Sequence, residues 1–139
     1  MKACVLKDLI PDLGPIGGLY TGLITSSNPY CFLFACDMPF INVRLVEYMI
    51  SQLENNDIVI PVSSRGLEAL FALYSVRCVD TIKKHLEDRN LKLINLLDYH
   101  KVRYISQQEI NRFDPEEKSF FNMNSPEDYL TAKRIWSKS

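Results

Sequence analysis

The alternation of apolar and polar stretches divides this chain into short segments of two kinds. Residues 30–36, "YCFLFAC", form an aromatic-rich apolar run between Asn28-Pro29 and Asp37-Met38-Pro39. Such a run predicts a strand buried on both faces, as in a parallel sheet. Beyond it, Asn42 is placed to cap a helix whose apolar residues fall at Val43, Val46, Met49, Ile50 and Leu53, steps of three and four that are helical. The polar "ENND" ends that helix. "DIVIPV" at 57–62 predicts the next strand, and "ALFALYS" follows after a polar turn around Arg65-Gly66. A helix is expected over 76–87 and a second short one near 91–98, and "KVRYIS" alternates like a strand. The closing "NSPEDYLTAKRIW" opens a helix, with Ser125 at the cap, Pro126 at the first helical position and Asp128 three residues after the cap. Strands alternating with helices predict an α/β domain with a mostly parallel sheet, a single domain over 1–139.

Composition narrows the class without naming a chemistry. With 47% hydrophobic and 24% charged residues, the chain has the make-up of an ordinary globular domain. A net charge of -1 argues against a nucleic-acid partner, which would need a clustered excess of Lys and Arg. No apolar run approaches the roughly 20 residues of a membrane span, and "MKACVLKDLI" is too short in its apolar part for a signal peptide. Cys4, Cys31, Cys36 and Cys78 form no CxxC pair and have no histidine partners at zinc spacing. All four are expected to be reduced and structural, in a cytoplasmic protein. His85 and His100, the only histidines, stand in polar surroundings and are expected at the surface.

Three stretches carry candidate chemistry. Asp37 ends the apolar run of the first predicted strand, and in open α/β sheets ligands bind beyond the carboxyl ends of the strands. A carboxylate there can coordinate Mg²⁺, which favours one or two carboxylates plus substrate phosphates; the alternative is a residue that merely starts a turn. In "DLIPDLGPIGGLYTGL", residues 8–23, Gly14, Gly17 and Gly18 crowd the start of a predicted helix carrying Leu19, Leu23 and Ile24. Glycines at a helix start allow close approach of an anion or a flat base, although most glycine-rich turns are only turns. This one has neither the Lys-Ser/Thr of a P-loop nor the spacing of a dinucleotide fingerprint. In "FFNMNSPED", residues 120–128, Asn122 and Asn124 alternate along a strand end and point the same way, or simply end the strand ahead of the cap.

Taken in order, "D-x-x-P-x-x-G-P-x-G-G", "FLFACDMPFI", "G-L-E-A-L-F-A-L-Y" and "F-x-N-x-N-S-P-E-D" resemble the motif set of the molybdenum cofactor guanylyltransferases (MobA), a branch of the Rossmann-like nucleotidyltransferases. The resemblance runs from about Asp8 to Trp136. It implies a three-layer α/β fold and transfer of GMP from GTP to the phosphate of molybdopterin, with release of pyrophosphate. By the same resemblance, Asp37 matches the family's Mg²⁺-binding aspartate, the one catalytic and metal position. Asp8, Gly14, Pro15, Gly17 and Gly18 match the guanine-nucleotide segment, and Asn122 and Asn124 match amides near the pterin and phosphates. Lys92, just before "LINLL", is the nearest match to a basic residue expected to contact a substrate phosphate. The partners implied are GTP and molybdopterin, with transient contacts to molybdoenzymes or cofactor-biosynthesis proteins, and with neither nucleic acid nor membrane.

Two departures qualify the resemblance. The family's first strand and glycine-rich loop, with an Arg and a Lys that grip the triphosphate, have no counterpart in residues 1–139, and Ala69 stands where the family commonly has proline. Relative to the family the chain reads as truncated by its first βα unit, so residues 1–139 alone are expected to lack useful turnover. Two other readings stay open at this point: transfer of CMP or a sugar nucleotide on the same fold, and a non-catalytic remnant that binds the pterin or a partner.

Overall fold

A computed structural model describes residues 3–6, 13–35 and 40–120. Its strands are β1 (Ala3–Leu6), β2 (Tyr30–Ala35), β3 (Ile58–Ser63), β4 (Gly66–Leu67), β5 (Phe71–Ser75) and β6 (Val102–Ile105). Its helices are α1 (Gly14–Thr25), α2 (Val43–Ser51), α3 (Val79–Glu87) and α4 (Gln107–Asn111), with 3₁₀ turns at Val76–Cys78, Leu93–Tyr99 and Lys118–Phe120. The sheet runs β1-β2-β5-β3, with β6 on the free side of β3 and β4 prolonging the β3 hairpin. β1 pairs with β2 in parallel and β3 with β6 in parallel, whereas β5 runs against both β2 and β3. The α/β reading holds. Within it the sheet is mixed, because the tight turn at Arg65-Gly66 folds β5 back into the middle.

The period-two alternation of the strands divides the core into two layers. Cys31, Leu33, Ile58, Ile60, Ala72 and Tyr74 face α1, α3 and the 93–99 turn, where Ile16, Leu19, Ile82, Leu93 and Leu96 meet them. Phe32, Val59, Phe71, Leu73 and Ile105 face α2 and α4, meeting Leu45, Met49, Ile110 and Phe120. Helices on both faces of one sheet make the three-layer arrangement. Both β2 and β5 are therefore apolar at consecutive positions, as expected for strands covered on each side.

The Asn42 cap is where the sequence placed it: its side chain accepts the Leu45 N–H at 3.0 Å. It sets the phase of α2 so that Leu45, Val46 and Met49 are buried, while Val43, expected on the apolar stripe, is exposed. Ile24 of α1 is likewise exposed. The α4 helix is an element the hydrophobic pattern does not reveal, since it is one turn long with a single buried residue, Ile110. Its signal is the capping box in "SQQE": the Ser106 hydroxyl accepts the Glu109 N–H and the Glu109 carboxylate accepts the Ser106 N–H. The helix expected after Ser125 lies outside the described residues. Among the described residues no helix is long and apolar enough to cross a membrane.

Three expectations are corrected. Cys31 is disulfide-bonded, so the four cysteines are not all reduced thiols. Cys78 is free and buried, and burial pushes its thiol up to about 12. Neither histidine is a surface residue. His85 is 5% exposed with its ring edge-on to Tyr99 at 5.3 Å, and the His100 side chain is sunk against Asp57, Nδ1 to Oδ2 3.2 Å. Polar neighbours in sequence do not report the layer packed above a residue.

Glu109 carries a pH dependence with a definite sign. It accepts from the Arg103 guanidinium, with Nη2 at 2.6 Å, and from the Tyr48 hydroxyl. The Arg103 hydrogen bond is the main reason its carboxyl falls from the model-compound 4.5 to about 2, with burial opposing. A carboxyl lowered on folding stabilises the fold above its ordinary pKa, and that contribution is lost as pH falls through the folded value. Stability is therefore expected to decline between about pH 4.5 and pH 2. Denaturant midpoints across that window should fall less steeply in Glu109→Gln than in the parent.

Candidate functional site at the carboxyl edge of the sheet

The strands β1, β2, β3 and β6 share one direction, so their C-terminal ends define one edge of the sheet. Leu6 and Ala35 are register partners at that edge. Asp37 follows Ala35 by two residues and, with Asp8, Asn122 and Asn124, lies outside the described residues. What the structure describes is the framework on either side of them.

The first wall is the N-terminus of α1, which follows β1 and packs against β1 and β2. Gly14 has φ +62, the left-handed region where glycine is favoured, and nothing lies within 4 Å of where a Cβ would stand. Pro15 occupies the first turn, where a missing N–H costs nothing. Leu13 offers no side-chain cap and the first turn holds no acidic residue, so among the described residues no carboxylate competes for the amides there. Gly17 has a different reason to be glycine. It is buried, and an added Cβ would stand 2.8 Å from the Cβ of Leu13. Gly17→Ala is therefore expected to cost about 1–3 kcal/mol through overpacking. A thermal melt should show the loss, and an unchanged melting temperature with weakened nucleotide binding would instead make Gly17 a contact surface. Gly18 is half-buried on the same turn.

The second wall is the hairpin after β3. The Ser63 hydroxyl donates to Glu68 Oε1 at 3.0 Å and accepts the Arg65 N–H at 3.1 Å. Burial raises the Glu68 carboxyl, against the opposing pull of Ser63 and Arg65. The Arg65 guanidinium reaches Glu68 Oε1 at 3.4 Å and also donates to the Phe120 carbonyl. Phe120 thus arrives at the β3 hairpin two residues before Asn122. Arg65 and Glu68 were not singled out from sequence, although Glu68 belongs to the "GLEALFALY" motif; the pairing of Arg65 with a carbonyl 55 residues away has no local signal.

Lys92 is exposed on the turn between α3 and the 93–99 turn. That excursion leaves the sheet after Ser75, opposite Tyr30, and returns at Val102, opposite Ile58, so it starts and finishes at the other edge. Among the described residues, no hydrogen bond or ion pair joins the Lys92 side chain to the α1 glycines or to the hairpin. No group of three or more His, Cys, Asp or Glu side chains able to hold a metal occurs among the described residues either.

The α1 start, the end of β2 and the β3 hairpin thus gather at one edge, with the segment leading to Asn122 brought against them. Proteins of known identity share this frame. A probable molybdenum cofactor guanylyltransferase of Natranaerobius thermophilus is 41% identical over 139 residues, covering 97% of this chain and 68% of the relative. One from Pelotomaculum thermopropionicum is 35% identical over 129 residues, covering 93% and 63%. The crystal structure of molybdopterin-guanine dinucleotide biosynthesis protein A from Archaeoglobus fulgidus superposes with a TM-score of 0.82 at 29% identity, over 96% of this chain and 68% of that one. A cytidylyltransferase from Thermus thermophilus, at 11% identity and TM-score 0.65, shares the fold alone. The chain spans about two thirds of the length of the curated relatives it matches, from 62% to 68% for the first four. Residues 1–102 match the MobA-like NTP transferase domain, and the chain belongs to that family.

Proposed function

We propose that this chain serves guanylyl transfer to molybdopterin, with GTP as donor and pyrophosphate as the leaving product. The observation that carries the reading is the coincidence of two things: relatives named for this activity at 35–41% identity, and a carboxyl edge that gathers the start of α1 and the end of β2. In the reaction an oxygen of the acceptor phosphate forms a bond to the α-phosphorus of GTP while the bond to the bridging oxygen of pyrophosphate breaks. Such a transfer needs positioning and charge neutralisation more than a protein nucleophile.

The residues divide the work accordingly. Asp37 holds Mg²⁺, which when bound supplies positive charge to the phosphates. One carboxylate suits Mg²⁺, which keeps waters and phosphate oxygens in its shell. The backbone N–H groups of Gly14, Ile16 and Gly17 face the nucleotide with Asp8, and the open space at Gly14 leaves room for close approach. Asn122 and Asn124 orient the acceptor. Lys92 is assigned to a substrate phosphate with the least structural support, since its turn belongs to an excursion from the opposite edge. The protein acts in the cytoplasm, where both substrates are made available, with transient contacts to cofactor-handling proteins.

Calorimetric titration with GTP and with CTP in the presence of Mg²⁺ tests the reading. GTP is expected to bind at least about tenfold tighter, a difference of about 1.4 kcal/mol. Equal affinities, or a preference for CTP, would replace guanylyl transfer with another nucleotidyl transfer.

A further inference from the structure

We propose that the segment 113–120 is a brace that holds the two loops of the carboxyl edge in a fixed relation, with Asp114 as its positioning residue. The proposal rests on the reading of that edge as the nucleotide site and adds a structural cause for its geometry.

Asp114 is the unusual residue. Its side chain is 5% exposed, yet no cation pairs with it among the described residues. A buried carboxylate is costly unless its oxygens are hydrogen-bonded. Here Oδ1 accepts the Lys118 N–H at 3.0 Å and Oδ2 the Ser119 N–H at 2.9 Å. These two bonds close a tight turn that also places Glu117 at φ +55. A turn could be closed more cheaply by a backbone carbonyl at the surface, so the location of this one asks for another consequence.

That consequence is the set of bonds the turn sends outward. To the loop after β2, the Ser119 hydroxyl accepts the Asn42 N–H at 3.0 Å, and the Phe113 carbonyl accepts Asn42 Nδ2 at 2.7 Å. Asn42 closes the segment that begins at Ala35 and contains Asp37. To the loop after β3, the Glu117 carboxylate accepts the Ser64 N–H at 2.9 Å, and the Phe120 carbonyl accepts from Arg65. The Phe120 ring stands edge-on against Phe71 at 5.1 Å, which anchors the end of the segment in the core. Eight consecutive residues therefore tie together loops that are far apart in sequence. The loop after β2 carries Asp37, and the loop after β3 is the second wall of the same edge. Their relative position depends on whether the Asp114 turn is closed.

The prediction is that opening this turn loosens both loops at once and weakens the use of the metal. Asp114→Asn keeps the size of the side chain but turns an NH₂ toward one of the two amides it must accept. Hydrogen exchange is expected to speed up at least about tenfold at Ser119 and, on the other segments, at Asn42 and Ser64. GTP affinity without Mg²⁺ should stay at the parental value, while the gain in affinity that Mg²⁺ brings should shrink about tenfold. A merely structural residue would lower the melting temperature and leave that gain intact. Ser119→Ala and Glu117→Ala each cut one arm, and serve where Asp114→Asn does not fold. Ser119→Ala should accelerate exchange at Asn42 but not at Ser64, and Glu117→Ala the reverse. Parental exchange rates at Asn42 and Ser64 in Asp114→Asn, or in the arm variants, would overturn the brace, as would an undiminished Mg²⁺ gain. A parent chain that binds no Mg-GTP would instead refute the nucleotide reading, and the exchange rates would then decide the brace by themselves.

Discussion

Asp37→Asn is expected to abolish the Mg²⁺-dependent part of GTP binding while leaving the melting temperature within a few degrees of the parent. The amide has the size of the carboxylate, so the substitution adds no bulk and leaves no cavity. What the variant removes is the negative charge that the proposed Mg²⁺ site requires. Charge stabilisation by a bound metal is worth several kcal/mol, and each 1.4 kcal/mol is tenfold, so a loss on the order of 10²- to 10³-fold is expected. The framework makes this variant informative, because the segment is anchored on both sides. Ala35 is paired to Leu6, and Asn42 is capped onto α2 and bonded to Ser119 and Phe113. A substitution between two fixed points has little room to unfold its surroundings. Titration of GTP at several Mg²⁺ concentrations gives the measurement, and a variant that retains the parental Mg²⁺ dependence would remove Asp37 from the metal site.

The largest effect on stability is expected from Phe71→Ala. Phe71 is fully buried in β5, the strand that joins the two parallel pairs of the sheet. Its ring meets Phe32 edge-on at 5.0 Å and Phe120 edge-on at 5.1 Å. Truncating a buried Phe to Ala costs about 3–5 kcal/mol, and the edge-to-face pairs contribute beyond the area they bury. For a chain of this size that corresponds to a fall in melting temperature of roughly 10–20 °C. Phe71→Leu, which refills most of the volume, should recover more than half of the loss. The same truncation removes the ring contact that supports Phe120. A loss under about 1 kcal/mol by denaturant melts would mean that the α2 layer repacks freely, contrary to the close packing expected of such a core.

The sequence by itself determined the elements that announce themselves locally. The apolar run of β2, the cap at Asn42, the strand at "DIVIPV" and the turn at Arg65-Gly66 are all legible, because each is decided by neighbours within a few residues, whereas the reversal of β5 that makes the sheet mixed was not. The α/β class followed from their alternation, and the family from motifs kept in order along the chain. Other features depended on groups that meet only after folding. The phase of α2 put Val43 outside, the rings of His85 and His100 are buried beside Tyr99 and Asp57, and Cys31 is in a disulfide. Gly17 reads from sequence as a place for a ligand and in the structure as a place for Leu13. The ties from Asp114, Ser119 and Glu117 to loops more than fifty residues away are of this second kind. A hydrogen bond or a ring contact across such a separation leaves no periodicity behind, because its partners are chosen by the packing of layers and not by position along the chain.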